Sequence, residues 1–193
     1  MDRVWLRSAQ KLEFKDPSRF LVDLRRLEVE VARSETPARV KNLRINGLKE
    51  AREQRQAALF CHGMSMRLGQ TVYFASQEAL DFDFVASWVV GDAQQFAPVQ
   101  LKEVVPQSLN PKASFDSVLT GLDKYVDSSG LTVAIHLNQA GHFDPKLLRP
   151  AQLNVASLWV FAAVAPDQSI WSLWGNFTEQ DPYGIQFNYP TEV

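Results

Sequence analysis

The stretch that most constrains this chain runs from Asp81 to Val105, DFDFVASWVVGDAQQFAPVQLKEVV. It holds two alternating runs broken at Gly91-Asp92, with Pro98 just ahead of the second run. Side chains on a strand alternate between its faces, so such a pattern predicts two short strands joined by a polar turn. Phe82, Phe84, Ala86 and Trp88 share one face, and Asp81, Asp83, Val85 and Ser87 the other. On the second strand Gln100 and Lys102 share a face, with Leu101 and Glu103 on its reverse. If the strands are neighbours, Asp83, Gln100 and Lys102 converge on one site with donors suited to a divalent cation and to hydrolysis.

Around this stretch the order of elements is readable. Leu48 to about Leu68 has helical spacing, with Ala57, Phe60, Cys61 and Met64 as its apolar stripe and Gly63 or Gly69 as its end. Thr71–Ala75 reads as a strand. Ser114 to Tyr125 reads as a helix, N-capped by Ser114, with Phe115, Val118, Leu119 and Leu122 recurring at three and four. Leu131–Leu137 is apolar on both faces apart from Thr132 and His136, the pattern of a buried strand. Residues 138–150 read as a loop; Val155–Val164 is apolar enough for a strand or a buried helix, SIWSLWG reads as a short strand, and the aromatic tail from Asn176 reads as an ordered surface extension. In the lead-in, residues 1–47, Leu27, Val29 and Val31 alternate with Glu28 and Glu30, which favours a strand over 26–32. Phe20, Leu21 and Leu24 instead suit a short helix after Asp16-Pro17. The expectation is one α/β domain over residues 1–193, a mixed sheet with flanking helices.

A length of 193 residues suits one core, and 46% apolar residues fill it without staples. Cys61 is the only cysteine, which excludes internal disulfides and cysteine-rich zinc sites. The opening MDRVWLRSAQ lacks an apolar leader, and no run reaches the ~18 apolar residues of a membrane span, so the cytoplasm is the expected location. Charge is uneven: residues 1–70 carry 15 Lys/Arg against 9 Asp/Glu, and residues 71–193 carry 5 against 13. The basic part suits a polyanion such as DNA or RNA, or the acidic half of the same chain.

Taken together, the helix over 48–68, the three strands that follow, the helix over 114–125 and the strand at 131–137 resemble the core of the PD-(D/E)xK nuclease superfamily, the restriction-endonuclease-like fold. The resemblance covers about residues 48–137. It implies an aspartate on the second strand, matched by Asp83 (Asp81 in the neighbouring register), and an acid-x-lysine on the third, matched by Gln100-Leu101-Lys102. It also implies a glutamate on the first helix, matched by Glu53 or Glu50. Gln100 departs from the pattern: its amide oxygen can ligate a hard cation but adds no charge. The implied activity is cleavage of DNA with Mg²⁺ or Mn²⁺, the metal held by Asp83, the Leu101 carbonyl and, through water, Glu53. Lys102 would orient or deprotonate the attacking water, or steady the pentavalent oxygens. Arg44, Lys49, Arg52 and Arg55 would track phosphates.

Two other functions fit the same residues. One is the same fold without catalysis, a nucleic-acid-binding or assembly module. The other is a structural domain whose Trp159, Trp171, Trp174, Phe177 and Tyr183 form a protein or homo-oligomer interface. His62, His136 and His142 have no metal-ligand spacing, Glu103 reads as structural or solvated, and Lys124 and Tyr125 follow the motif closely enough to reach it.

Overall fold

A computed structural model describes residues 3–35, 37, 48–77, 82–122, 125, 128–148 and 153–192. Its elements in chain order are α1 (Arg3–Ala9), α2 (Pro17–Arg33), α3 (Lys49–Leu68), β1 (Tyr73–Ser76), β2 (Phe84–Val90), β3 (Ala93–Val104), α4 (Phe115–Thr120), β4 (Ser128–Leu137), β5 (Val155–Ala163), β6 (Ile170–Gly175) and β7 (Tyr183–Asn188). All seven strands form one mixed sheet in the order β1-β2-β3-β4-β5-β6-β7. β3, β4 and β5 run parallel to one another, and the outer pairs are antiparallel. Among the described residues no helix is long and apolar enough to cross a membrane.

Alternation along the strands separates two cores. Phe84, Ala86, Val99, Leu101, Ala134, Phe161, Trp171 and Leu173 face α3, where they meet Ala57, Leu59, Phe60 and Cys61. The reverse face is covered in two parts. Ala9 of α1 joins Val85 and Phe96, and Phe115, Val118 and Leu119 of α4 pack over Val104, Val133, Ile135 and Val160. This is the layered arrangement expected of a sheet with helices on both faces.

The long helix is buried more widely than its stripe predicts: every residue from Gln56 to Gly63 is buried, and Met64 only partly. Cys61 is fully buried, and burial pushes its thiol far above the ordinary range. Gly69, in the left-handed conformation at φ 66°, ends α3 with its N–H on the Ser65 carbonyl. Gly63 lies inside the helix instead. A Cβ there would come within 2.8 Å of the Phe187 ring, so the small residue lets α3 approach β7.

Three expectations are corrected. Residues 26–32 are helical, part of α2. Asp16 caps that helix by accepting from Ser18 N and Arg19 N, and Pro17 pre-sets its first turn. The Leu27/Val29 alternation lies on exposed positions, so it reports no buried face. The helix at 114–125 stops at Thr120. Ser114 does cap it, forming a reciprocal capping box with Ser117. The tail is not a surface extension but contributes β7, paired antiparallel with β6. In addition, β3 begins at Ala93 and includes Pro98, one residue before pairing with β4 starts at Val99.

Candidate functional site

Asp83 lies immediately before β2, and its N–H donates to the Val99 carbonyl at 2.9 Å, which ties it to β3. Leu101 points to the α3 core, so Gln100 and Lys102 point to the reverse face. Asp83 shares that face. Its Oδ2 accepts from the Leu101 N–H at 2.6 Å and from Gln100 Nε2. The same Nε2 donates to the Leu101 carbonyl at 3.1 Å, and Gln100 Oε1 accepts from the Tyr125 hydroxyl at 3.2 Å. Lys102 Nζ lies over the Tyr125 ring, 5.6 Å from its centroid. Burial holds the Lys102 ammonium below the ordinary lysine range, against the opposing pull of Asp83.

The structure thus brings Asp83, Gln100, the Leu101 carbonyl, Lys102 and Tyr125 together. It does not bring Glu53 to them. Glu53 belongs to α3, packed on the other face of the sheet, and pairs with Lys49 one turn away at 3.4 Å. Glu50 accepts from Gln54 Nε2. The glutamates that the resemblance implied as ligands instead form local i,i+4 pairs on the helix surface. Asp81, Arg44 and Lys124 lie outside the described residues. Arg52 and Arg55 also stand on the α3 side, where Arg52 faces Glu103 at 4.0 Å and Arg55 bonds Glu28 at 2.9 Å. Neither forms a phosphate track beside Asp83.

The donor set can be judged chemically. Two oxygens, Asp83 Oδ2 and the Leu101 carbonyl, converge on one positively polarised group, the Gln100 NH₂. These are the oxygens that the sequence assigns to a cation. Turning the amide over would present Oε1 beside them and Nε2 to Tyr125. A tyrosine hydroxyl both donates and accepts, so it serves either orientation. The resulting set is all oxygen, which suits Mg²⁺ or Mn²⁺, but it carries a single carboxylate. Among the described residues no group of three or more His, Cys, Asp or Glu is placed to hold a metal ion. With the amide turned, these oxygens would suit a hard cation, held weakly by the single carboxylate.

Other candidates are structural. His62 is fixed between Ser18 Oγ at 3.0 Å and the Asn188 carbonyl at 3.1 Å. His136 is buried, stacks on Phe161 and meets Gln56 Nε2. Trp159, Trp171 and Phe177 are buried and Trp174 packs against the core. Tyr183 is exposed but carries the Arg67 guanidinium 3.6 Å above its ring, so the aromatic set forms no continuous exposed surface. Sequence spacing pointed to Tyr125 as near the site, but its bond to Gln100 rests on a turn that spacing does not encode. No protein-family model matches the chain, and no curated protein or solved structure matches it.

Proposed function

We propose that the chain is a divergent PD-(D/E)xK-like domain that hydrolyses phosphodiester bonds in DNA with Mg²⁺ or Mn²⁺. The observation that carries this reading is the convergence of Asp83 Oδ2 and the Leu101 carbonyl on Gln100, with Lys102 on the same face. The order of elements supports it: α3, the antiparallel meander β1-β2-β3, α4, then β4 parallel to β3. A divalent cation bound by Asp83, the Leu101 carbonyl and a turned Gln100 amide would neutralise phosphate charge and acidify a water. The chain's own groups supply the rest. Lys102 Nζ donates to a non-bridging phosphate oxygen as charge builds there. Tyr125 holds the lysine's approach through its ring and the Gln100 amide through its hydroxyl.

A second reading, the same fold without catalysis, draws on two facts. The Gln100 amide already satisfies the oxygens that a cation would need, and Arg52 and Arg55 of α3 are ion-paired away from Asp83. One experiment separates the two. Purified protein is incubated with plasmid, linear and single-stranded DNA plus Mg²⁺ or Mn²⁺, beside Asp83→Ala and Lys102→Ala. Cleavage lost in both variants is the expected result. No cleavage, together with no metal-dependent thermal shift, overturns the hydrolytic reading and leaves the inactive one.

A further inference from the structure

A larger cleft, about 1070 Å³, opens on the α3 face at the carboxyl ends of β3, β4 and β5. Topology explains why it is there. The connections β3→β4 and β4→β5 send Phe115, Val118, Phe143 and Leu153 into the core on the reverse face. Their first residues, such as Leu109 and Asn138, form the rim on the α3 side. The carboxyl ends of parallel strands are the usual place for ligands in α/β sheets, and the size reaches that of small-molecule pockets.

The charges of the lining cancel. Arg25, Arg52 and Arg55 stand with Glu28, Glu103 and Asp167 around the same space. Glu28 is shared by Arg25 at 3.4 Å and Arg55 at 2.9 Å, and Arg52 lies 4.0 Å from Glu103. Asp167 commits its carboxylate to Ser169 N and Oγ in its own turn. Such a lining has no net charge with which to select an ion of either sign.

Its amides, by contrast, are one-sided. Asn138 Nδ2 donates to the Glu103 carboxylate at 2.7 Å. Gln139 Nε2 donates to the carbonyls of Val105 at 2.6 Å and Ala113 at 3.0 Å. These partners only accept, so they fix which end of each amide is nitrogen. Gln56 Nε2 lies 3.3 Å from His136 Nδ1 and donates to it in the tautomer that leaves Nδ1 bare. All three nitrogens are thus turned into the protein. Among the described residues nothing donates to Asn138 Oδ1, Gln139 Oε1 or Gln56 Oε1, and none of the three oxygens is sealed off. Gln56 is only 5% exposed, yet its oxygen opens on the cleft. A nearly buried amide oxygen without a donor is costly, and a ligand hydroxyl would relieve that cost.

Donors are present too. Arg55 spends Nε on Glu28 and Nη2 on Gln168 Oε1 at 2.6 Å, which leaves Nη1 without a described partner. Gln168 is held at φ 59°, uncommon for a residue other than glycine, by its N–H on the Ala165 carbonyl and by Trp171 Nε1 on its own carbonyl. That strained turn steadies the Arg55 fork, and such strain gathers at binding sites. The rings in the lining, Trp171 and His136, are 1% and 5% exposed, so neither offers a face on which a flat base could stack. Val29 and Leu109 are exposed and give the cleft apolar patches.

We propose that this cleft binds a neutral polyhydroxylated ligand, a monosaccharide or a cyclic polyol. Its hydroxyls donate to the oxygens of Gln56, Asn138 and Gln139 and accept from Arg55, and its C–H groups rest on Val29 and Leu109. A hydroxyl both donates and accepts, which matches a lining that offers acceptors and donors together with no net charge. The site stands on the opposite face from Asp83, so it is independent of the hydrolytic reading.

The test is a titration of the full chain with D-glucose, D-galactose, D-mannose and myo-inositol, each into the tens of millimolar, with putrescine and succinate as charged probes. The Trp171 indole ¹H–¹⁵N signal is followed, because Trp171 lines the cleft and its N–H bonds the Gln168 carbonyl behind Arg55. A saturable shift is expected with at least one neutral probe, at an affinity that added salt leaves unchanged. Gln56→Met, which keeps the length of the side chain and removes the amide, should weaken binding roughly three- to tenfold. Asn138→Ala, at a half-buried rim position, should weaken it likewise and stands in if Gln56→Met fails to fold. Absence of a saturable shift with every neutral probe overturns the proposal. So does tighter binding of putrescine or succinate, a salt-sensitive affinity, or unchanged affinity in the folded variants.

Discussion

The two faces of the sheet solve the same problem differently. On the face of α1 and α4, a few polar groups are drawn in tightly around one amide, and Gln100 has a partner for its nitrogen and its oxygen. On the face of α3, charged groups pair along the walls of an open cleft, Arg55 with Glu28 at 2.9 Å and Arg52 with Glu103 at 4.0 Å. One strand supplies both. β3 sends Gln100 and Lys102 one way and Leu101 and Glu103 the other, so a slip of one residue would exchange them. The contrast teaches that polarity alone does not mark a site. A closed hydrogen-bonded set needs a cation to displace an existing donor, whereas an open paired set leaves room for a ligand to join.

The largest expected effect breaks one face while sparing the other. Phe161 is fully buried, stacks on His136 and packs against Phe60, all on the α3 side. Phe161→Ala should cost about 3–5 kcal/mol in urea unfolding. Any effect of Mg²⁺ on thermal unfolding should be unchanged in the surviving folded protein.

A smaller effect sharpens the reading of the closed set. Gln100→Glu removes the NH₂ that joins Asp83 to the Leu101 carbonyl and sets a second carboxylate beside Asp83. Without metal the like charges should lower stability by about 1–2 kcal/mol. Mg²⁺ should bind about tenfold more tightly, about 1.4 kcal/mol, as read by calorimetry and by a larger thermal shift. An unchanged Mg²⁺ affinity would count against a cation at these oxygens.

The smallest effect concerns the seam of α2, α3 and β7 that borders the α3 face. Burial holds His62 below its ordinary value of 6.5, with the Asn188 carbonyl and Asp16 pulling the other way. The unfolded chain therefore takes up a proton at a pH where the folded chain does not. This contribution is complete above about pH 6.5 and declines as pH falls towards the folded value, with a slope of at most about 1.4 kcal/mol per pH unit. His62→Gln should flatten that part of the stability profile in chemical unfolding measured from neutral to mildly acidic pH.

What could be read in the sequence was mostly local. The alternation of Gln100 and Lys102 against Leu101 and Glu103, the Gly69 end of α3 and the Ser114 cap each depend on a few neighbouring residues. They appear in the structure as spacing implies. The failures share a different cause. Leu27, Val29 and Val31 imitate a strand because exposed helix positions are free to alternate by chance, while the Asp16-Pro17 signal was the informative one. β7 escaped notice because its partner strand supplies the hydrophobic cover: a Cβ at Gly184 would run into the Trp174 ring, so glycine and tryptophan are matched across strands rather than along one. Glu53 was assigned from the resemblance, which places a glutamate on the first helix but does not fix the side of the sheet on which this helix lies. The α3-side cleft was equally hidden. It depends on which way two chain connections cross the sheet, and no window of sequence holds that information.

Spatial order in the sheet repeats chain order from β1 to β7. Every strand therefore meets its predecessor as soon as the intervening segment has closed, and no early strand has to wait for a distant one. Local closures of this kind favour rapid assembly. The antiparallel pair β2-β3, joined through Gly91-Asp92 alone, can close first, whereas the two parallel joins at the centre need longer connections and so set the pace.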